Sequence, residues 1–431
     1  MPAPSPTAET VLPTVRRRLI PFLFLLYLVA YLDRVNIGFA ALDMNRDLGF
    51  SATVYGLGSG IFFVSYTLLE VPSNLVLARV GARAWIGRIM LTWGVVSTAM
   101  AFVTDQTTFY ALRFLLGAAE AGFFPGIIYY LTQWFPERDR AGAVALFMTG
   151  TAVAGVIGGP LSSVLLLLDG VAGLRGWQWL FVAEGVPAIA LAPMVWRFLD
   201  ERPADARWLS EAERGWLTAT LAAEAAAHPA EASHFGRALR DRRLWVLAAV
   251  YFCIVLAFYG IGFWLPLIIQ SAGDARSSVV ALLSSVPSIF AAVGMLVIGT
   301  RSDRTGERRG HVAAAAIVGV AGFAAAASLQ GRVWPSLLAL GIAAFGISGT
   351  FGPFWALPTA FLSGTAAAGG VALVNAVGNI GGFVGPSLVG YARDLTGSFS
   401  AGLWTLAAGL VAGVLLLLAL PSGTPPRSGA S

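Results

Sequence analysis

Apolar segments of about twenty residues alternate with short polar stretches along almost all of the 431-residue chain. About 20 consecutive apolar residues are what an α-helix needs to cross the hydrocarbon core of a bilayer. The pattern therefore predicts an all-α integral membrane protein whose twelve transmembrane helices lie at residues 19–42, 56–78, 85–104, 108–134, 141–168, 177–199, 244–270, 278–300, 311–330, 334–362, 366–392 and 398–420.

The longest polar segment, residues 200–243, divides the predicted helices into two groups of six. Ser210 and Glu213 have the spacing of a capping box, which predicts a short amphipathic helix in this segment. We interpret the segment as a solvated linker, with a regulatory partner site as the alternative. The predicted parts are a cytoplasmic leader, an N-terminal bundle, the linker, a C-terminal bundle and a cytoplasmic tail, at residues 1–18, 19–199, 200–243, 244–420 and 421–431. Residues 1–14 of the leader are expected to be disordered.

The 28 basic residues are all arginines, and most of them lie at the chain ends or in the even-numbered connections between helices. Because basic residues accumulate in cytoplasmic loops, both termini are predicted to be cytoplasmic. The net charge of +5 then reflects membrane orientation and not nucleic-acid binding. A single cysteine and three histidines at or outside helix ends argue against a metal site or an enzyme, and we expect no cofactor.

Two matches between the halves indicate an internal repeat. The loop after helix eight, GTRSDRTGERR, aligns with NLVLARVGARAW after helix two, where Asn74 and Ala78 replace the expected Gly and Asp. At nearly the same offset, GVIGGPLSS in helix five aligns with GGFVGPSLVG in helix eleven. This arrangement resembles the major facilitator superfamily, which implies two pseudo-symmetric six-helix bundles. Charged residues of these loops are then expected to tie helix ends together as a gate: Arg79, Arg83, Asp303, Arg304 and Arg308.

Four charged residues lie inside the predicted helices, where each charge costs several kcal/mol unless it has a partner or faces water. Asp33 and Arg34 are adjacent in helix one and point about 100° apart, so they are expected to have separate roles. Arg113 of helix four shares their depth, and Glu120 lies about 10 Å deeper. We expect an Asp33–Arg113 ion pair that leaves Arg34 unpaired over a cavity, with Glu120 below it. The alternative is a permanent buried network without a transport role.

Two further acidic residues and several neutral polar or aromatic residues lie in the predicted helices. Glu70 is expected to brace the loop arginines, and Glu184 is interpreted as structural. Asn375 and Asn379, one turn apart, are candidates either for ligand binding or for bridging helices. Three aromatic residues are candidates for the same cavity, with packing as the alternative role: Tyr66, Tyr259 and Trp355.

Five stretches identify a narrower resemblance: YLDRVNIG in helix one, EVPSNLVLARVGAR after helix two, RFLLGAAEAGFFPGIIYYLTQWFPERDRA in helix four, GWQWLFVAEGVPA in helix six and ERPADARWLSEAE entering the linker. Together they are similar to the anion:cation symporters, and most to their bacterial tartrate-type and aromatic-acid-type members. The resemblance implies that the substrate and proton site contains Asp33, Arg34, Arg113 and Glu120.

These observations predict a monomeric, proton-coupled symporter of a small organic anion in the bacterial cytoplasmic membrane. Arg34, aided by the asparagines and aromatic residues of the cavity, would bind the substrate carboxylate. Protonation of Glu120 and Asp33 would accompany transport. The expected substrates, in order, are tartrate or another short hydroxy-dicarboxylate, a sugar acid, phthalate and a hydroxyphenylacetate. A drug/proton antiporter, a membrane enzyme and a sensor are the other classes considered.

Overall fold

The structure is a computed structural model, and it describes residues 7–227, 241–273, 275–359 and 364–420. These residues form fifteen α-helices, α1 to α15, at Ala8–Leu48, Ala52–Val80, Ala82–Ala99, Gln106–Glu120, Phe123–Thr132, Glu137–Leu166, Gly176–Phe198, Glu211–Ala227, Arg242–Ser271, Ser277–Leu283, Ser285–Thr305, Arg309–Ser328, Val333–Thr359, Gly364–Thr396 and Phe399–Ala419.

Twelve segments of the described residues are long and apolar enough to cross a membrane, which confirms the predicted number. The pairs α4 with α5 and α10 with α11 each form one span, and α8 lies in the linker. Helices α1 to α7 form one six-span bundle and α9 to α15 form the other. The bundles meet along α2 and α14, along α1 and α9, and along α6 with α10 and α11.

The predicted N-terminal leader differs from the structure. Helix α1 begins at Ala8, so residues 8–14, which we expected to be disordered, are helical. Val11 and Val15 explain the difference, because both are fully buried and anchor this extension to the bundle. In the linker, the Ser210–Glu213 capping box is confirmed: the Ser210 amide donates to the Glu213 carboxylate at 2.8 Å. Residues 1–6, 228–240 and 421–431 of the predicted leader, linker and tail lie outside the described residues.

Helix four, expected to be continuous, is broken immediately after Glu120. Helix α4 ends there and α5 begins at Phe123, with Gly122 between them at a φ of 87°. This left-handed conformation suits glycine, which has no Cβ to clash with the backbone. The Ser73 hydroxyl donates a hydrogen bond of 2.7 Å to the Ala121 carbonyl and so satisfies one acceptor at the break. The break places the Glu120 carboxyl at a helix end beside α2.

Gly122→Ala is expected to lower the thermal stability of the purified protein in detergent. The new Cβ would force a left-handed conformation, at about 1–2 kcal/mol, and would press on the Ser73 side chain. Gly170→Ala is the matched control, because Gly170 has a φ of 84° with open space around its Cβ position. If the two variants lose the same stability in a thermal-shift assay, the close packing of Ser73 against residue 122 does not contribute to the loss.

The two bundles are joined at the face opposite the chain termini, which we call the distal face. There the Tyr55 hydroxyl on α2 donates a hydrogen bond of 2.8 Å to the Phe263 carbonyl on α9. The Asp394 carboxylate, near the end of α14, accepts hydrogen bonds from the Ala52 and Thr53 amides at 3.1 and 2.7 Å. These amides are unpaired donors at the start of α2, where a negative charge is favourable. The contacts hold the distal ends of the bundles together in this conformation.

Candidate functional site

An ion pair between Arg34 and Glu120 lies inside the membrane domain. The Arg34 Nη2 of α1 contacts the Glu120 Oε1 at the end of α4. The Arg34 side chain is 15% exposed, whereas that of Glu120 is 1% exposed. We expected Arg34 to be unpaired, and this expectation is wrong for the conformation described. The pair therefore joins a partly accessible cation, Arg34, to a fully buried acid, Glu120.

The contact between these two groups uses only part of their hydrogen-bonding capacity. Among the described residues, the Arg34 Nε and the Glu120 Oε2 have no hydrogen-bond partner. A guanidinium and a carboxylate can instead form two parallel hydrogen bonds, which is their strongest arrangement. The observed single contact therefore leaves donors of Arg34 available for another acceptor.

Aromatic side chains from both bundles surround Arg34. The Arg34 Nη1 lies 3.5 Å from the hydroxyl of Tyr259 on α9, and its guanidinium lies 5.4 Å from the ring centre of Tyr66. The ring centre of Phe62 lies 5.5 Å from Arg34 and 5.1 Å from the guanidinium of Arg113. Sequence reasoning missed Phe62, although it precedes Tyr66 by one helical turn and so shares its face. Aromatic faces attract cations at these distances.

Asp33 points away from Arg34, toward α3. Its carboxylate accepts hydrogen bonds from the Trp93 indole at 2.6 Å, from the Asn36 amide at 3.2 Å and from the Ser97 hydroxyl. Sequence reasoning did not find these three donors. The different partners of Asp33 and Arg34 agree with their predicted separation around the helix.

The predicted Asp33–Arg113 ion pair is wrong: among the described residues, no ion pair joins them. Arg113 is 1% exposed and donates from Nε and Nη2 to the carbonyls of Gly58 and Ser59, at 3.1 and 2.9 Å. The reason is packing, because Arg113 faces α2 where α4 packs on it, whereas Asp33 faces α3. Equal depth in the membrane therefore did not bring the two charges together.

Glu184 of α7 lies close to the Asp33 carboxylate. It is 4% exposed, it interacts with Asp33 and Asn36, and its Oε2 has no hydrogen-bond partner among the described residues. A carboxylate buried without a cation is costly to ionise. Asp33 and Glu184 are therefore two buried acids that interact with each other and with Asn36.

Glu70 does not brace the loop arginines as expected. Its carboxylate accepts hydrogen bonds from the side-chain amides of Asn375 and Asn379 on α14, at 3.3 and 3.5 Å. This contact crosses between the bundles. It shows that both asparagines bridge helices in this conformation. The ring centre of Trp355 lies 4.7 Å from that of Tyr251, so Trp355 packs against α9.

The five predicted gating residues are not joined across the bundles in the described contacts. Asp303 pairs with Arg308 of its own loop at 2.5 Å. In the first loop, the Arg83 amide donates to the carboxylate of Glu201 at 3.1 Å, so Glu201 caps the start of α3. The side chains of Arg79 and Arg304 are exposed. A gating role for this set stays a prediction.

Comparisons with known proteins match this chain to one family model and to proteins named as transporters. The sequence signature described as Major Facilitator Superfamily matches residues 23–386. A "Putative tartrate transporter" of Agrobacterium vitis is 51% identical over 415 residues, covering 96% of this chain and 92% of that protein. A "Quinolone resistance transporter" of Acinetobacter baumannii is 43% identical over 410 residues, covering 95% of this chain and 94% of that protein. Among solved structures, a bacterial homologue of the human lysosomal transporter Spinster has a TM-score of 0.73 at 19% identity and covers 94% of each chain.

Proposed function

Since the chain belongs to the Major Facilitator Superfamily and is a multi-pass transport protein, not an enzyme, we propose that it imports a small organic anion together with protons. The bundles would rock about a central site that opens to each face in turn. We place the protein, as a monomer of the anion:cation symporter group, in the bacterial cytoplasmic membrane with both termini in the cytoplasm.

The ion pair between Arg34 and Glu120 is the observation that carries this proposal. Arg34 is a partly accessible cation at the bundle interface, within 3.5 Å of Tyr259 in the other bundle. A substrate carboxylate would bond to the Arg34 donors in place of Glu120 and would touch both bundles. A contact to both bundles is what couples occupancy of the site to their movement.

Proton coupling follows from competition for Arg34. Ionised Glu120 holds the guanidinium, and protonated Glu120 loses its charge and releases it. Anion and proton would therefore bind together, with Glu120 as the principal proton site. Asp33 is proposed as a second one. Its carboxylate accepts hydrogen bonds from Trp93 and Ser97 of α3, so its protonation would weaken the contact between α1 and α3.

Tartrate is the proposed substrate, because a relative at 51% identity bears a tartrate transporter's name. Tyr66, Tyr259 and Trp355 are proposed to line the substrate path, with Asn375 and Asn379 opposite Arg34. Sugar acids and aromatic carboxylates such as phthalate or hydroxyphenylacetate are the alternatives, since each carries the carboxylate that Arg34 would bind.

Uptake into proteoliposomes tests the proposed function. With an inwardly directed proton gradient, radiolabelled tartrate is expected to accumulate several-fold above the level reached without the gradient, because each anion enters with protons. A protonophore should remove the difference. Empty liposomes are the control, and tartrate uptake that ignores the gradient would contradict proton symport.

Export of a drug against protons is the second candidate function, because a relative at 43% identity is named a quinolone resistance transporter. Quinolones carry a carboxylate, so Arg34 would suit them as well. The direction of proton movement separates the two functions. In symport, protons enter the vesicle together with tartrate. In antiport, protons move in the direction opposite to the drug.

A further inference from the structure

The amide pair Asn375 and Asn379 holds a carboxylate in this structure. Each of the two Glu70 oxygens accepts a hydrogen bond from one of the amides, at 3.3 and 3.5 Å. The two amides lie one turn apart on α14, so they present two donors on one face. Glu70 belongs to the opposite bundle, so its carboxylate joins the two bundles. A bound substrate would have to join them in the same way.

This arrangement parallels the one at Arg34. There the Glu120 carboxylate occupies a cationic donor, and here the Glu70 carboxylate occupies a pair of neutral donors. Among the described residues, Glu70 makes no ion pair. The protein thus places one of its own carboxylates on each of two donor sets that the proposed function assigns to substrate.

The two donor sets lie along one face of α2. Phe62, Tyr66 and Glu70 follow one another at intervals of four residues, and Arg34 lies over the first two rings. At 1.5 Å per residue, Glu70 is about 9 Å along α2 from the level of Arg34. An axial offset of that order suits a short molecule that carries a hydrogen-bonding group at each end.

We propose that Asn375 and Asn379 form a second carboxylate subsite, which Glu70 occupies when substrate is absent and vacates for the second carboxylate of a dicarboxylate. This rests on the proposed function and extends it to the substrate class. An ionised Glu70 repels the second carboxylate of the substrate. Once protonated, it is neutral, and its O–H can donate a hydrogen bond to that carboxylate.

The proton balance follows directly. A proton from the distal side binds to the Glu70 carboxylate, accompanies the dicarboxylate and leaves to the other side after the substrate. A dicarboxylate is therefore carried with one proton more than a monocarboxylate. Among the described residues, the charged or titratable groups that interact with Glu70 include Arg34 on α1, Tyr66 on its own helix and Tyr251 on α9.

The test measures protons per substrate in proteoliposomes whose membrane potential is clamped at zero with potassium and valinomycin. Tartrate is the dicarboxylate probe, and glycerate is the monocarboxylate with similar hydroxyl chemistry. The wild type is expected to couple one more proton to tartrate than to glycerate. Glu70→Gln should remove that proton, so a gradient of one pH unit would accumulate about tenfold less tartrate than in the wild type.

The possible results test the second carboxylate subsite and the proposed symport separately. Equal proton ratios for tartrate and glycerate in the wild type would overturn the second subsite but leave the proposed symport intact. A proton-to-tartrate ratio that stays unchanged in Glu70→Gln would have the same meaning. If glycerate is not carried, this ratio alone decides whether the second subsite exists. Failure of the wild type to move either acid with protons would remove both proposals. The wild-type comparison needs no variant, so poor folding of Glu70→Gln would not obscure the answer.

Discussion

Glu120→Gln is expected to abolish the accumulation of substrate by a proton gradient while leaving substrate exchange active. Glutamine copies the shape of a protonated Glu120 but cannot ionise. Arg34 would then stay free of its competitor in every state, so anion binding would no longer require a proton. In proteoliposomes, accumulation with a proton gradient should fall to the level seen without one. Counterflow of labelled against unlabelled tartrate should persist.

The dependence on pH gives a second readout for the same variant. Wild-type uptake should increase as the external pH falls, because protonation of Glu120 frees Arg34. The variant should show little such increase. Glu211→Gln, at an exposed position in the first turn of α8, is the matched control and should behave as the wild type. If Glu120→Gln concentrates tartrate as well as the wild type does, Glu120 carries no coupled proton.

Arg34→Gln is expected to weaken anion binding by about 30-fold or more. Removing one partner of a buried, hydrogen-bonded charge pair costs about 2–5 kcal/mol, and about 1.4 kcal/mol corresponds to a tenfold change in affinity. The loss should appear in the dissociation constant for tartrate, measured by calorimetry on the purified protein. Arg34→Lys should bind with intermediate affinity, because lysine keeps the charge but lacks the planar fork of donors.

The control for Arg34 is another arginine of the same helix. Arg46 is 73% exposed and pairs with Asp43 at 2.9 Å. Exposed ion pairs contribute about 0–1 kcal/mol, so Arg46→Gln should leave tartrate affinity nearly unchanged. Equal affinities of Arg34→Gln and the wild type would exclude Arg34 from the substrate site, and with it the competition that underlies the proposed coupling.

The electrostatic pairs were predicted less well than the helices, and helix packing explains why. Depth in the membrane follows from residue number, since each residue adds 1.5 Å along a helix. Which neighbour a side chain meets depends on how helices pack and rotate. Gly117 shows this, because a Cβ there would collide with the Phe62 carbonyl of α2. This close approach brings α4 against α2 and sets the position of Glu120 relative to α1.

Glu70 shows the same limit over a longer distance in sequence. Its contacts with Asn375 and Asn379 join residues 305 and 309 positions apart, on helices of different bundles. A sequence reading placed Glu70 near the loop arginines because they are close along the chain. Only the meeting of α2 with α14 brings the carboxylate to the amides.

The sequence by itself determined the twelve spans, their division into two groups of six and the few charges inside the membrane. These features follow from the local sequence, because each span must satisfy its own backbone hydrogen bonds and exclude most charges. The tertiary structure alone decided that Arg34 pairs with Glu120, that Asp33 turns to α3 and that α4 breaks at Gly122. Those outcomes depend on the rotation and close approach of neighbouring helices, which non-local packing sets.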